Sequence, residues 1–314
     1  MFKTMTSNSF CQKGAAFAAS SPGCARALLL LPLVLALNGC YSGHVRTVKK
    51  IALAPNAMNA TLEQLKVGVD AQYASIHTLN ASVDITATTG GQHEGKVKEN
   101  PTFSGYMFLR KPSDLRVLLL VPVLRSRALD MVSDGKTFKL IIPSKNRAIE
   151  GSEVMSKPSK NGLENLRPSI IRDALLIPAI APDDYVSVTQ GSRILPASSK
   201  RKEPIEEPDY DISVYAVKTD HVMTLKRRIH IGRVSLRPYR QDLYDDSGRI
   251  VTTVDYANYE MAGDIPYPMG ITLTRPLDEY TLKIIVTKLT LNQRLDDEQF
   301  SLKIPPGMPV QHIP

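Results

Sequence analysis

Cysteine is absent from the chain beyond position 40. The three cysteines are Cys11, Cys24 and Cys40 in a chain of 314 residues. The part that follows Cys40 therefore has no disulfide and no thiolate metal site. A chain without thiols also suits an oxidising compartment, where a stray thiol would form wrong disulfides.

The motifs of common catalytic and cofactor sites are also absent. There is no His-Glu-x-x-His, no Gly-x-Ser-x-Gly, no P-loop and no dinucleotide fingerprint. Ser133-Asp134-Gly135-Lys136 fits Ser-x-x-Lys, but it crosses a predicted hairpin turn and does not begin a helix. We expect a protein that is not an enzyme, with no catalytic residue, no metal ligand and no cofactor.

The positive charge is too small and too dispersed for a nucleic-acid-binding surface. The formal net charge is +8, and the first 39 residues contribute Lys3, Lys13 and Arg26 without any acid, which leaves +5. Basic clusters such as Lys200–Lys202 are followed at once by glutamates. We expect no nucleic-acid partner; the mild charge suits the neighbourhood of an anionic membrane.

The leader is the most specific signal in the sequence. Ala27–Leu37 is an apolar run of 11 residues after Arg26, which is short for a bilayer span and typical of a signal peptide. Leu37-Asn38-Gly39-Cys40 resembles a bacterial lipobox. We predict a lipoprotein signal peptide over residues 1–39 and acylation of Cys40, for example with palmitate. The alternative is an ordinary signal peptide with a chance cysteine.

The residue after Cys40 indicates the destination. Tyr41 stands where an aspartate would be the familiar inner-membrane retention signal. By resemblance, we expect the outer membrane, with a lipid-anchored domain that faces the periplasm. Residues 40–56 are interpreted as a lipidated flexible tether, and residues 57–314 as one domain.

Periodicity predicts two helices among many strands. Thr61–Ile76 reads as an amphipathic helix with a Thr61/Gln64 capping box, and Leu163–Leu176 as a second helix that is apolar on more than one face. Pro196–Pro208 is expected to be an exposed loop. The predicted strands are Asn80–Ala87, Phe103–Arg110, Leu115–Val121, Ala128–Ser133, Lys136–Ile142, Arg147–Glu150, Tyr210–Val217, Val222–Leu236, Arg249–Tyr256, Gly270–Arg275, Tyr280–Leu291 and Phe300–Ile304.

This order of elements predicts a mostly β fold with some α. Long runs of consecutive antiparallel strands tend to curl, so we expect a half-open antiparallel β-barrel, or curved sheet, covered by a few lid helices over an apolar cavity. The second helix carries more apolar surface than a solvent-facing helix needs. We therefore expect its apolar residues to divide between the core and the roof of the cavity: Ile170, Ile171, Leu175 and Leu176.

The chain resembles the LolA/LolB family of lipoprotein carriers and receptors, and most closely its LolB-type outer-membrane receptors. The resemblance covers Thr61 to Pro306 and rests on diffuse stretches: Phe103-Ser104-Gly105, Leu115–Leu129, Asp134-Gly135, Leu166-Arg167-Pro168 to Leu176, and Tyr280–Leu291. It implies the half-open barrel described above, with a cavity that takes acyl chains. The chain is longer than these receptors, mainly through Pro196–Pro208 and its second-half strands.

One segment matches a feature of the receptors, which carry a short protruding loop with an exposed leucine. Val121–Arg127 occupies that place: Val123 and Leu124 are apolar, and Arg125 and Arg127 follow. Apolar residues beside cations suit contact with an anionic interface. The alternative is that Val123 and Leu124 pack down onto the domain.

Three functions follow from these observations. The first is lipoprotein localisation: the chain would accept the acyl chains of lipoproteins or lipids, with a periplasmic carrier protein as a further partner, and release them to the outer membrane. The second is a non-catalytic lipoprotein of the same fold that senses lipids or the state of the envelope, or helps to assemble it. The third is an enzyme, which would need a polar cluster within the cavity.

The lipobox leads to the first testable prediction. Cys40→Ala should abolish acylation, because the thiol that takes the diacylglyceryl group is gone, and should leave the precursor uncut or the protein unanchored. Metabolic labelling with a radioactive fatty acid measures this directly. Label retained on the Cys40→Ala chain would contradict the prediction.

Overall fold

Sixteen β-strands belong to one hydrogen-bonded sheet in the part of the chain that the structure describes. The structure is a computed structural model, and it describes residues 50–154, 167–198, 201–217 and 222–313. Cys40 and residues 163–166, which the sequence interpretation singled out, lie outside these ranges.

The strands and helices have the following bounds. The first half contains β1 (Ala52–Leu53), α1 (Leu62–Ser75), β2 (Thr78–Thr89), β3 (Lys98–Glu99), β4 (Phe103–Arg110), β5 (Asp114–Leu120), β6 (Arg127–Ser133), β7 (Thr137–Ile142), β8 (Arg147–Ser152) and α2 (Pro168–Leu175). The second half contains β9 (Tyr185–Leu195), β10 (Ile205–Val217), β11 (Met223–Gly232), β12 (Arg237–Tyr244), β13 (Ile250–Ala262), β14 (Ile265–Arg275), β15 (Tyr280–Leu291) and β16 (Val310–Ile313). Short 3-10 turns span Pro143–Lys145, Pro276–Asp278 and Asp297–Phe300.

The sheet is an open, curved and almost entirely antiparallel ribbon. Its strand order is β10-β11-β12-β13-β14-β15-β2-β4-β5-β6-β7-β8-β16, with β9 on the other side of β10. β1 pairs with β10 and β16 pairs with β8 in parallel. Within the described ranges the two ends of the ribbon do not pair with each other. The predicted fold class, mostly β with an unclosed curved sheet, is confirmed.

Both helices pack on the same face of this sheet. α2 contributes Ile171, Ala174 and Leu175 to a buried cluster formed by β2, β4 to β6 and β13 to β15. α1 contributes Leu65 and Val69 to a second cluster on β10 and β11. Because strand residues alternate between faces, one face of each strand in these clusters is apolar.

α1 begins and ends where the sequence predicts, whereas α2 begins later than predicted. Thr61 Oγ1 accepts the N–H of Gln64, and Gln64 Oε1 accepts the N–H of Thr61 at 2.9 Å, which confirms the capping box. Pro168 occupies the first turn of α2, where its missing N–H costs nothing. The described part of the second helix is therefore shorter than the predicted Leu163–Leu176.

The expected loop over Pro196–Pro208 is partly wrong. β10 already begins at Ile205 and pairs with β9, which sequence reading missed altogether. Glu207 is buried here because Arg193 of β9 donates to its carboxylate at 2.5 Å. The end of the predicted loop, from Ile205 to Pro208, is therefore a paired strand.

Two predicted strands also have to be corrected. The predicted strand Val222–Leu236 is too long, because β11 ends at Gly232 and residues 233–236 form the turn to β12. Leu236 closes this turn: its N–H donates to Gly232 O at 2.8 Å and its φ is +51°. Phe300–Ile304 is not a strand. There the chain crosses the outer face of the sheet and Leu302 is buried on Val132 and Ala148.

The outer face between β9 and β13 is joined by polar side chains. His230 of β11 lies between two carboxylates of neighbouring strands, with Nδ1 2.6 Å from Asp211 and Nε2 3.0 Å from Asp242. A carboxylate only accepts hydrogen bonds, so both ring nitrogens donate and the ring is cationic. Burial opposes the charge, but the two carboxylates outweigh it and raise the pKa of His230 to about 9.

Neither of the two helices in the described ranges is long and apolar enough to cross a membrane.

The His230 bridge leads to a prediction about stability and pH. Its raised pKa means that the charged ring stabilises the folded state fully below pH 6.5, and that this contribution is lost as the pH rises towards 9. We expect the free energy of unfolding to fall by about 3 kcal/mol over this window, since the pKa rises from 6.5 to about 9 and each pKa unit corresponds to about 1.4 kcal/mol. Urea unfolding at several pH values measures it.

His230→Gln provides the comparison, because glutamine does not titrate. The difference in unfolding free energy between wild type and His230→Gln should shrink as the pH rises from 6.5 to 9. A difference that stays constant over that range would show that His230 carries no charge in the folded protein.

Candidate functional site

The loop between β5 and β6 holds two apolar side chains in solvent. Val123 is 95% exposed and Leu124 is 77% exposed. The loop is nevertheless closed by backbone hydrogen bonds, because Val121 N–H donates to Ser126 O at 2.8 Å and Arg125 N–H donates to Val121 O at 3.0 Å. Residues Pro122–Arg125, hereafter the tip, therefore protrude as an ordered turn.

The backbone of the tip is unusual for its residues. Val123 has a φ of +67°, in the left-handed region that β-branched residues avoid. Such conformations cost free energy and persist only where the surroundings enforce them. The tip therefore exposes its apolar side chains at a conformational cost, which is uncommon for a loop that only connects two strands.

The two arginines of this segment have different surroundings. Arg125 is exposed on the tip. Arg127 begins β6 and lies 3.6 Å from the carboxylate of Asp130, which also accepts two hydrogen bonds from Arg116. The charge of Arg127 is partly offset by that carboxylate, so Arg125 is the freer cation beside the apolar pair.

The four residues proposed for the cavity roof lie in or against the main core. Ile171, Leu175 and Leu176 are buried, and Ile170 is half-buried against the same cluster. Leu176 also borders a recess of about 280 Å³ beside Tyr73 and Asp173. A role of these residues in ligand binding stays a prediction.

A larger cavity, of about 470 Å³, lies along α1 rather than α2. We call it the α1 cavity. Its volume falls within the range of small-molecule sites in proteins. It is lined by Asn59, Ala60, Gln64, Leu65, Gly68, Val69, Gln72, Ile177, Ile231, Ser235, Leu236, Arg237, Pro238, Tyr259 and Pro266.

Two polar side chains that border the α1 cavity are bound to backbone carbonyls. Gln72 Nε2 donates to Pro266 O at 2.7 Å, and the Tyr259 hydroxyl donates to Pro238 O at 2.8 Å. Burial raises the pKa of Tyr259, so its hydroxyl stays neutral. The guanidinium of Arg237 stands 5.4 Å from the centre of the Tyr259 ring. The cavity wall thus offers apolar surface without a free carboxylate.

Sequence reading missed this cavity. The apolar stripe of an amphipathic helix is usually part of the core, and Leu65 and Val69 of α1 are indeed buried. The signal that was available is Gly68, a glycine in the middle of an otherwise favourable helix.

The tip and the α1 cavity lie at opposite ends of the strands. Consecutive antiparallel strands place their connections alternately at the two rims of the sheet. The tip joins β5 to β6 at one rim, whereas the β11–β12 and β13–β14 turns border the α1 cavity at the other. The seven residues of β5 alone separate the rims by about 23 Å.

In the described ranges, no group of three or more His, Cys, Asp or Glu side chains is arranged to hold a metal ion.

Comparisons with known proteins find similarity only to solved structures. No family model matches the chain, and no curated protein matches it. A LolA superfamily protein from Nitrosomonas europaea is 15% identical, with a TM-score of 0.48, over 78% of this chain and 99% of its own. A DUF1329 family protein from Desulfovibrio piger is 16% identical, with a TM-score of 0.47, over 76% and 94%. A domain from Vibrio parahaemolyticus, named as an outer membrane lipoprotein-sorting protein, is 10% identical, with a TM-score of 0.44, over 75% and 94%.

The exposure of the tip leads to a prediction about Leu124. Leu124→Glu should change the melting temperature by less than about 2 °C, because an exposed side chain has little packing to lose. It should weaken binding to anionic vesicles about tenfold or more, since the apolar contact is lost and a like charge is added. Vesicle co-sedimentation and thermal unfolding on the same preparation measure both.

A buried leucine of the neighbouring strand serves as the control. Leu115 is fully buried, so Leu115→Ala should lower the melting temperature and leave the vesicle affinity of the folded fraction unchanged. A large loss of stability in Leu124→Glu would mean that the tip is structural and not a contact surface.

Proposed function

We propose that this chain is an outer-membrane lipoprotein that binds the acyl chains of lipoproteins or lipids and takes part in lipoprotein localisation. The observation that carries the proposal is the α1 cavity, a space of about 470 Å³ with a largely apolar wall, in which the side chains of Gln72 and Tyr259 are hydrogen-bonded to backbone carbonyls. Such a wall favours a ligand that leaves water without needing a hydrogen-bond partner.

The binding step needs no covalent chemistry. An acyl methylene gains about 0.8 kcal/mol when it is buried, so a chain moves to whichever site buries more of its surface. Transfer then runs on the difference in affinity between carrier protein, cavity and bilayer. The leader and the lipobox support the location, and the resemblance to LolA/LolB receptors supports the choice of ligand.

The tip supports contact with a membrane. Two exposed apolar side chains with Arg125 beside them suit the interface of an anionic bilayer, where the apolar pair leaves water and the cation meets phosphate. Because the tip and the α1 cavity lie at opposite rims, we propose that ligand loading and contact through the tip are separate steps. A periplasmic carrier protein would then approach the rim that borders the cavity.

The same separation of rims favours a second candidate function. A receptor that handed acyl chains directly to a bilayer would be expected to have its membrane contact beside its cavity. A non-catalytic sensor or assembly factor has no such requirement, because it only has to detect a lipid at one rim and be oriented at the other. Its ligand would be a free lipid or glycolipid.

Ligand binding by the unlipidated mature chain tests the leading proposal. The Cys40→Ala chain should bind a fluorescent fatty acid saturably, and a synthetic acylated lipopeptide should displace it. The same peptide without acyl groups is the matched control and should not compete. If the fluorescent fatty acid shows no saturable binding, the proposal is contradicted.

The ligand that co-purifies separates the two candidates. Mass spectrometry of the protein extracted from cells should detect acylated proteins or peptides if the chain localises lipoproteins. Free lipids or glycans alone would favour the sensor.

A further inference from the structure

A single glycine stands in the wall of the α1 cavity, in the middle of a 14-residue helix. Gly68 lies between the two buried residues of α1, Leu65 and Val69. Glycine is the least favourable helix residue after proline, because it loses the most backbone freedom on folding. Its presence in this position calls for a physical reason.

The two usual reasons for a helical glycine do not apply to Gly68. Its φ is not in the left-handed region, so the backbone conformation is open to any residue. An added Cβ would meet no atom within 4 Å, so no neighbour requires its absence. Gly105 shows the contrast, because a Cβ there would clash with the carbonyl oxygen of Leu118.

Gly68 is exposed, and it borders the open α1 cavity. Gln64, Gly68 and Gln72 follow one another at four-residue spacing, so they lie along one line of the helix, and all three border the cavity. The line from Gln64 to Gln72 is about 12 Å long. A side chain at position 68 would begin at the middle of that length.

We infer that Gly68 is the residue that sets the length of acyl chain the α1 cavity accepts. This inference rests on the proposed function. With glycine at position 68 the cavity is continuous from Asn59 to Pro266, and an unbranched chain extends along it. A bulky side chain there would divide the space into two short compartments, in which a short chain still fits and a long one does not.

Substitution at Gly68 in the Cys40→Ala mature chain tests the inference, with palmitate and octanoate as ligands in displacement of a fluorescent fatty acid. Gly68→Leu should weaken the binding of palmitate about tenfold or more, because several methylenes lose their contacts with the protein. It should weaken the binding of octanoate by less than about threefold. Gly68→Met is the second variant, because its unbranched and flexible side chain occupies the space with a different shape from that of leucine.

Stability gives an independent readout for the same position. Gly68→Ala should raise the melting temperature by about 2–4 °C, because it improves helix propensity and meets no atom. Val67→Leu is the matched control: Val67 is exposed on the same helix and does not border the cavity. Val67→Leu should leave the affinities for palmitate and octanoate unchanged.

The outcomes separate this inference from the proposed function. If the unsubstituted chain does not bind palmitate, the proposed function fails and the inference falls with it. If that chain binds palmitate and folded Gly68→Leu and Gly68→Met bind both ligands as well as it does, the inference is overturned and the function stands. An equal loss of palmitate and octanoate would also overturn it, because position 68 would then control entry and not length.

Discussion

The apolar inner face of the sheet has to be covered, and two short helices do most of the covering. α2 has eight residues, yet three of them are buried among side chains from seven strands. Its backbone is held by the sheet as well, because the Tyr267 hydroxyl donates to Leu175 O and Gln241 Nε2 donates to Asp173 O, both at 2.9 Å. Without this helix a wide stretch of β-sheet would face water, at about 25 cal/mol for each Å² of apolar surface.

The same constraint accounts for the place of the cavity. α1 covers β10 and β11 with Leu65 and Val69 only, and beyond them the helix presents Gly68 and two glutamines to the β11–β14 rim. The helices therefore cover the centre of the sheet more fully than they cover this rim. The opposite face between β9 and β13 has no helix among the described residues and is held by cross-strand pairs such as His230 with Asp211 and Asp242.

Sequence patterns predicted the elements that have strong local signals. The capping box of α1, the Asp134-Gly135 hairpin and the strand Tyr280–Leu291 are as expected, because their signals lie within a few residues. β9 was missed although Tyr185–Val188 alternates, because its other half is polar and its pairing with β10 is non-local. The cavity was missed for a similar reason. The apolar stripe of a helix shows which face is buried, but it does not show where that face lacks a packing partner. The exposed state of Val123 and Leu124 was one of two open alternatives, and only the backbone of the tip decides between them.

In the proposed function an acyl chain lies along α1. The most direct test is isotope-filtered NMR of the unlipidated mature chain with ¹³C-labelled palmitate, which detects methyl groups of the protein close to the bound chain. We expect contacts from the acyl chain to the methyl groups of Leu65, Val69 and Ile231, which border the α1 cavity. Contacts confined to Ile170 and Leu175 of α2, or no contacts at saturating palmitate, would contradict it.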